Sequence, residues 1–182
     1  MYEQGYQGQD DKSVFKGDFQ NQSLDSQNQK QGGQSSDKQQ DDENLRVINE
    51  VYQNAVMGKQ SISNIITKID NEDFKKEVMK AYENYEEICS KASMEIMNMG
   101  ERPREKNPFT KAMLWGMINV STIVDDSSSN LANIIIKGCN NSKNKITKVL
   151  NQSSGIDEKT QQIADDYLKC EQQCMESMQK FL

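Results

Sequence analysis

The chain has 182 residues, with 22 basic and 28 acidic side chains, a net charge of −6 at pH 7 and no histidine. This length allows one ordinary domain, and the acidic balance argues against a nucleic-acid-binding protein, which normally carries a basic surface. The lack of histidine removes both the commonest general base and the commonest metal ligand. No run approaches the roughly 18 apolar residues of a membrane span, so none is predicted.

The N-terminal sequence MYEQGYQGQDDK has no basic segment followed by an apolar core, so it does not resemble a signal peptide. We therefore expect a cytoplasmic protein, or one packed into an intracellular particle. In a reducing compartment its four cysteines stay as thiols.

Residues 1–43 form a low-complexity segment with eleven glutamines and five glycines. Such a segment cannot bury enough apolar surface to offset the entropy of ordering, so we predict a disordered tail. It acts either as a solvating leader or as a docking tag for a protein partner, with Phe15 and Phe19 as contact residues.

Apolar residues recur at helical spacing over residues 44–70 and again over 73–99, which predicts two amphipathic helices. Gly58 interrupts the first apolar stripe near its middle, and Gly100 ends the second helix. Because only a short turn at Asp70 and Asn71 separates them, the two helices should form an antiparallel hairpin.

Residues 100–126 contain both prolines, Pro103 and Pro108, and the single tryptophan, Trp115. The first part is charged and predicted to be extended. Pro108 suits the first position of a helix, where its missing N–H costs nothing, so a short helix is predicted over 108–124.

Two further amphipathic helices are predicted over residues 127–152 and 157–181. The third helix has four lysines and no acidic residue, whereas the last is acidic. Charge-matched packing between them is expected, although exposed pairs contribute only a few tenths of a kcal/mol, about 0.3–0.5 each.

The connection between the second and third helices decides the topology. One continuous helix over 109–152 would be about 66 Å long, whereas its partners reach only about 40 Å. A break near Asp125 removes this mismatch and makes the second and third helices parallel, joined by a long crossover as in ferritin-like folds. The apolar stripe runs almost in phase across Asp125, so a kinked continuous helix remains the alternative.

Residues 45–182 resemble an uncharacterised bacterial family of small ferritin-like four-helix bundles related to stress-associated ferritin-like proteins. The matching features are Leu45 to Ile48, Gly58, Gly100-Glu-Arg-Pro103, Ala112-Met-Leu-Trp-Gly116 and Lys137-Gly138. The resemblance implies an all-α ferritin-like four-helix bundle, with a crossover containing a short helix between helices 2 and 3. Such proteins keep acidic residues beside the mid-helix glycines, where this chain has Lys59 and Cys139. This difference predicts that the metal centre is missing.

A di-iron bundle requires a glutamate from each of two helices and a Glu-x-x-His pair from each of the other two. Without histidine, no such pair exists. Most of the acidic residues on the long helices lie off the apolar stripe, which predicts a solvated face. These candidates are Glu50, Glu83, Glu86, Glu87, Asp165, Asp166 and Glu171.

The cysteines give a sharper alternative. Cys170 and Cys174 are four residues apart on one helix face, and Cys89 and Cys139 lie on inward stripes. Thiolates inside a bundle could hold Cu(I) or Zn(II), or perform thiol redox chemistry. The competing interpretation is that they pack as small hydrophobic residues.

We therefore predict a non-catalytic ferritin-like bundle that serves as a structural or protein-interaction module in stress or dormancy, with no catalytic residue and no cofactor. One alternative is the binding of a soft metal, Cu(I) or Zn(II), or thiol redox chemistry by Cys89, Cys139, Cys170 and Cys174. The other is a carboxylate-only metal oxidase. We also expect a homo-oligomer, a dimer or larger, formed through the methionine-bearing helix ends or the crossover.

Overall fold

A computed structural model describes the backbone of residues 25–104 and 125–182, with side chains from Asp37 onward in those ranges. Four helices are present there, and no strand occurs in these two ranges. They are α1 (Asp25–Ile65), α2 (Glu72–Asn98), α3 (Ser128–Asn151) and α4 (Glu158–Met178). Short 3-10 turns, Ile66–Lys68 and Gln179–Phe181, follow α1 and α4. The predicted all-α class is confirmed.

Three of the helices begin at a polar cap, as their sequences predict. The side chains of Asn71, Ser127 and Asp157 each accept a hydrogen bond from the backbone N–H three residues further on. Such caps satisfy donors that the first helical turn leaves open. At the other end of α2, Gly100 has a φ of 77°, a left-handed conformation that glycine adopts without strain.

α3 is a separate helix. Its cap residue, Ser127, has an extended backbone with ψ of 146°, and Asp125 and Asp126 are not helical. The predicted break near Asp125 is therefore present, and the alternative of one continuous helix over 109–152 is not realised. The predicted short helix over 108–124, including Trp115, lies outside the described residues.

α1 begins at Asp25, well before the predicted start at residue 44. It therefore extends into the segment for which composition predicts disorder, because glutamine, lysine and glutamate are acceptable helix formers even where no apolar face exists. By its contacts the chain divides into residues 1–36 and residues 37–182. In the second unit, residues 37–42 are exposed and burial begins at Asn44.

In the second unit, polar contacts identify which helices are neighbours. Each of four helix pairs is bridged by a pair of long side chains. These are Lys59–Glu86 between α1 and α2 (3.3 Å), Lys91–Asp166 between α2 and α4 (3.0 Å), Lys143–Gln172 between α3 and α4 (2.8 Å), and Lys145–Glu50 between α3 and α1. The helices thus form a four-membered ring in the order α1, α2, α4, α3.

The contacts also give the helix directions. Phe74, near the start of α2, lies 4.9 Å from Phe181 at the end of the chain, whereas Lys91 near the end of α2 meets Asp166 near the start of α4. α2 and α4 are therefore antiparallel. α4 is also antiparallel to α3, which it follows after a short loop, so α2 and α3 run in the same direction.

A reciprocal pair of hydrogen bonds closes one end of the bundle. The Asn44 amide donates to the Asp157 carboxylate at 2.7 Å, and the Asp157 backbone N–H donates to the Asn44 amide oxygen at 2.9 Å. Because Asp157 also caps α4, this contact fixes Asn44 of α1, the first buried residue among the described side chains, to the start of the last helix.

All four helices contribute to one hydrophobic core. Its largest fully buried apolar side chains are Tyr167, Phe74, Ile48, Ile96, Leu131, Ile146, Ile163 and Met178. Among the described residues, no helix is both long and apolar enough to cross a membrane.

Candidate functional site: a buried tyrosine, glutamate and cysteine cluster

A carboxylate lies at the centre of the bundle. Glu171 of α4 is only 1% exposed, and each of its two oxygens accepts a hydrogen bond from a tyrosine. The Tyr85 hydroxyl of α2 donates to Oε2 at 2.8 Å, and the Tyr167 hydroxyl donates to Oε1. Glu171 is therefore a fully buried acid with both oxygens satisfied, as the burial of a polar group requires.

Each helix of the bundle supplies part of this cluster. Tyr167 and Glu171 are one helical turn apart on α4, so they share a face. The Tyr85 hydroxyl also lies 3.6 Å from the sulfur of Cys139 on α3. On the side of α1, a Cβ atom added to Gly58 would lie 2.8–2.9 Å from the Tyr85 ring, so glycine is what leaves room for that ring.

Burial sets the protonation of the cluster. It raises the pKa of Glu171, while the hydrogen bonds from Tyr167, Cys139 and Tyr85 lower it; the net shift is upward. Burial, followed by the neighbouring acidic groups, also raises the pKa values of Tyr85 and Tyr167 well above 10.0. The two tyrosines therefore stay protonated and act as hydrogen-bond donors.

Two of the four predicted cysteines lie at this cluster. Cys139 is 3% exposed and Cys174 is 4% exposed. The neighbouring Cys174 thiol and burial raise the pKa of Cys139 far above 9.0, the ordinary value for a thiol. Such a group holds its proton firmly, which is the opposite of the low pKa that makes a cysteine nucleophilic.

The other two cysteines lie toward the α2–α4 side. Burial raises the pKa of Cys170 to about 12, with smaller contributions from Glu171 and Cys174. Cys89 is half-buried, and its pKa is raised to about 11 by burial, which Lys59 partly offsets. All four cysteines are free thiols.

Metal ligands are not clustered among the described residues. Within residues 37–104 and 125–182, no three or more Cys, Asp or Glu side chains form a group that could hold a metal ion. Whether the cysteines bind a soft metal under other conditions stays a prediction.

The acidic candidates are mostly where the sequence predicts, with one exception. Glu83, Glu86, Glu87 and Asp165 are exposed, and Glu50 and Asp166 are half-buried. The prediction of a solvated position is wrong for Glu171, because two tyrosine hydroxyls replace the water that a buried carboxylate would lose. The neighbours of Glu171 give the only sequence signal, since Cys170 and Cys174 place this stretch on the inner face of α4.

An open cleft borders the cluster between α2 and α4. It has a volume of about 480 Å³, and Cys174 is one of the residues that line it. Its walls are polar and charged: Glu77, Lys80, Asn84, Gln173, Glu176 and Lys180. Cofactor pockets are mostly apolar, with a few convergent polar groups. The lining of this cleft is polar and charged, so the cleft does not resemble a cofactor site.

No protein-family model, no curated protein and no solved structure matches this chain.

Proposed function

We propose that this chain is a non-catalytic, ferritin-like helical bundle that serves as a structural or protein-interaction module, with stress or dormancy as the expected setting. The single observation that carries this proposal is the state of Glu171. A bundle that binds two metal ions directs several carboxylates and histidines into its centre. Here the centre holds one buried carboxylate among the described residues, and two tyrosines occupy both of its oxygens.

The helix directions support a ferritin-like connection. Since α2 and α3 are parallel, residues 99–127 connect opposite ends of the two helices. α2 has 27 residues and is about 40 Å long, a distance that a segment of this size covers easily at about 3.3 Å per extended residue. A long crossover in this place is the connectivity of ferritin-like bundles.

Four free cysteines fit a reducing compartment, so we place the protein in the cytoplasm. The N-terminal segment, rich in glutamine and glycine, remains the candidate contact for a protein partner. A pull-down that compares the full chain with a variant starting at Asn44 would show whether that segment recruits one.

Incubation of the full chain with Fe(II) in air, followed by the absorbance of the ferric product, tests the absence of catalysis. We expect the oxidation rate of buffer alone. The variant Glu171→Gln, which keeps the size of the side chain but removes its charge, should give the same trace. A rate above buffer that falls in Glu171→Gln would overturn the proposal and favour a carboxylate-only oxidase.

A second candidate function rests on the contact between Cys139 and Cys174, the two thiols that lie together at the cluster. Thiolates favour Cu(I) and Zn(II), and metal binding can deprotonate a thiol whose own pKa is high. Elemental analysis of protein purified without oxygen tests this function. Stoichiometric copper or zinc, lost on Cys139→Ser, would establish it; metal-free protein would leave the cysteines as packing residues.

A further inference from the structure

Two helices at opposite corners of the bundle carry opposite net charge. α2 has seven acidic and four basic residues, whereas α3 has four lysines and no acidic residue. Because Tyr85 of α2 meets Cys139 of α3 across the centre, the outer faces of these helices point in opposite directions. The bundle is therefore acidic on one side and basic on the other.

The outer face of α3 combines lysine with asparagine. A residue and those 4, 7 and 11 positions after it on a helix lie within a sector of about 60°, so they form one stripe. Lys137, Asn141, Asn144 and Lys148 have this spacing and are exposed. We call these four residues the lysine–asparagine face.

The outer face of α2 combines carboxylates with methionine. Glu83, Glu86 and Glu87 are exposed in its middle, and Met94 and Met97 are 54% and 55% exposed about two to four turns further on. Among the described residues, the other large apolar side chains that are exposed are Met79, also on α2, and Leu182. We call Glu83, Glu86, Glu87, Met94 and Met97 the glutamate–methionine face.

Contacts within the chain do not neutralise the glutamate–methionine face completely. Lys59 pairs with Glu86, and Lys91 pairs with Glu87. The two lysines are only 29% and 38% exposed, however, whereas their partners Glu86 and Glu87 are 59% and 65% exposed. The carboxylates therefore extend further into solvent than the lysines do.

We propose that copies of this chain associate head to tail, with the lysine–asparagine face of one copy docked on the glutamate–methionine face of the next. This inference rests on the proposed function as a structural module and names its partner, a second copy. The opposite charges give orientation, and the flexible thioethers supply adaptable apolar contact. Since the two faces differ and lie on opposite sides, the contact is heterologous and continues into rings or filaments.

Light scattering of the full chain over a range of concentrations and salt tests the association. At low ionic strength the mean mass should rise about twofold or more above the 20.8 kDa of one chain as concentration increases. In about 1 M salt, where the screening length is about 3 Å, it should return to one chain. A mass of one chain at every concentration, or growth that stops at a dimer, would overturn the proposal.

Charge reversal on each face gives a sharper test. Lys137→Glu with Lys148→Glu, and separately Glu83→Lys with Glu87→Lys, should each abolish growth. An equimolar mixture of the two variants should restore it, because each altered face then meets a complementary one. Lys38→Glu with Lys159→Glu, on exposed residues outside both faces, is the matched control and should assemble normally. Circular dichroism would verify that each variant keeps its helical content.

Failure of the mixture to assemble would overturn the proposed contact. A chain that remains monomeric but binds short single-stranded DNA through Lys137 and Lys148 would also overturn it, and would assign the lysine–asparagine face to nucleic acid. Neither result affects the iron oxidation test. The proposal of self-association and the proposal that the bundle is non-catalytic can therefore be refuted independently of each other.

Discussion

The Tyr85 hydroxyl donates a hydrogen bond of 2.8 Å to Glu171, which lies 86 residues further along the chain. This contact joins α2 to α4 within the buried core, where Glu171 is only 1% exposed. It also uses one of the two oxygens that a metal ion would need. The stability of the bundle and the proposed absence of a metal centre therefore depend on the same few atoms.

Tyr85→Phe should lower the free energy of unfolding by about 1–3 kcal/mol, because it leaves a buried carboxylate oxygen without its donor. Urea unfolding followed by circular dichroism measures the change. Tyr82→Phe is the control, since Tyr82 is half-buried on the same helix, and it should change the stability by less than about 0.5 kcal/mol. Equal effects of the two substitutions would contradict a special role for Tyr85.

Gly58→Ala should destabilise the protein by about 1–3 kcal/mol through overpacking, despite the better helix propensity of alanine. The new methyl group would lie 2.8 Å from Cζ of Tyr85, and the hydrogen bond to Glu171 restrains the ring from moving away. Thermal denaturation measures the effect.

Gly138→Ala supplies the matched control, because nothing lies within 4 Å of the position its Cβ would take. It should stabilise the chain by up to about 1 kcal/mol from helix propensity alone. If Gly58→Ala proved equally stabilising, the close packing of Tyr85 on α1 would be refuted.

These residues show what could be predicted from the sequence and what could not. Apolar periodicity predicts the helices, and the charge and cap pattern around Asp125 and Ser127 predicts the start of α3, because both are local properties. The network around Glu171 depends on three helices meeting, and no local pattern encodes which tyrosine reaches a given carboxylate. Asn44 and Asn49, both buried on α1, were missed for the same reason, because they bond to Asp157 and to the backbone of Arg104, which lie far along the chain. Their hydrogen bonds satisfy them only in the folded chain.

Glu171 should give the protein a measurable pH dependence. Its pKa is raised above 4.5, so the folded chain binds this proton more tightly than the unfolded chain does. The resulting stability is fully present below about pH 4.5 and is lost as the pH rises through the raised pKa of the folded state.

Glu171→Gln isolates this contribution, because the amide cannot titrate. As pH increases above 4.5, the wild type should lose stability relative to this variant, by up to about 1.4 kcal/mol for each pH unit crossed below the raised pKa. Urea unfolding at a series of pH values measures the difference. A difference that stays constant between pH 4 and 8 would show that Glu171 titrates normally.

The four thiols should react in a fixed order with an alkylating reagent. Cys89 is half-buried with a pKa raised to about 11, so it should react slowly but first in the native state. Cys139, Cys170 and Cys174 are buried and should become reactive only on unfolding. Mass spectrometry after timed labelling, with Cys89→Ala as control, identifies the sites. Early labelling of Cys139 would contradict the closed centre.

Anaerobic thermal denaturation of the full chain with and without Fe(II) tests the central claim most directly. A metal that binds only the folded state raises the midpoint temperature, by an amount that increases with its concentration. Because the two tyrosines occupy the oxygens of Glu171, we predict the same midpoint with and without iron. A midpoint that increases with Fe(II), and no longer does so in Glu171→Gln, would show that the centre binds metal and would contradict the account.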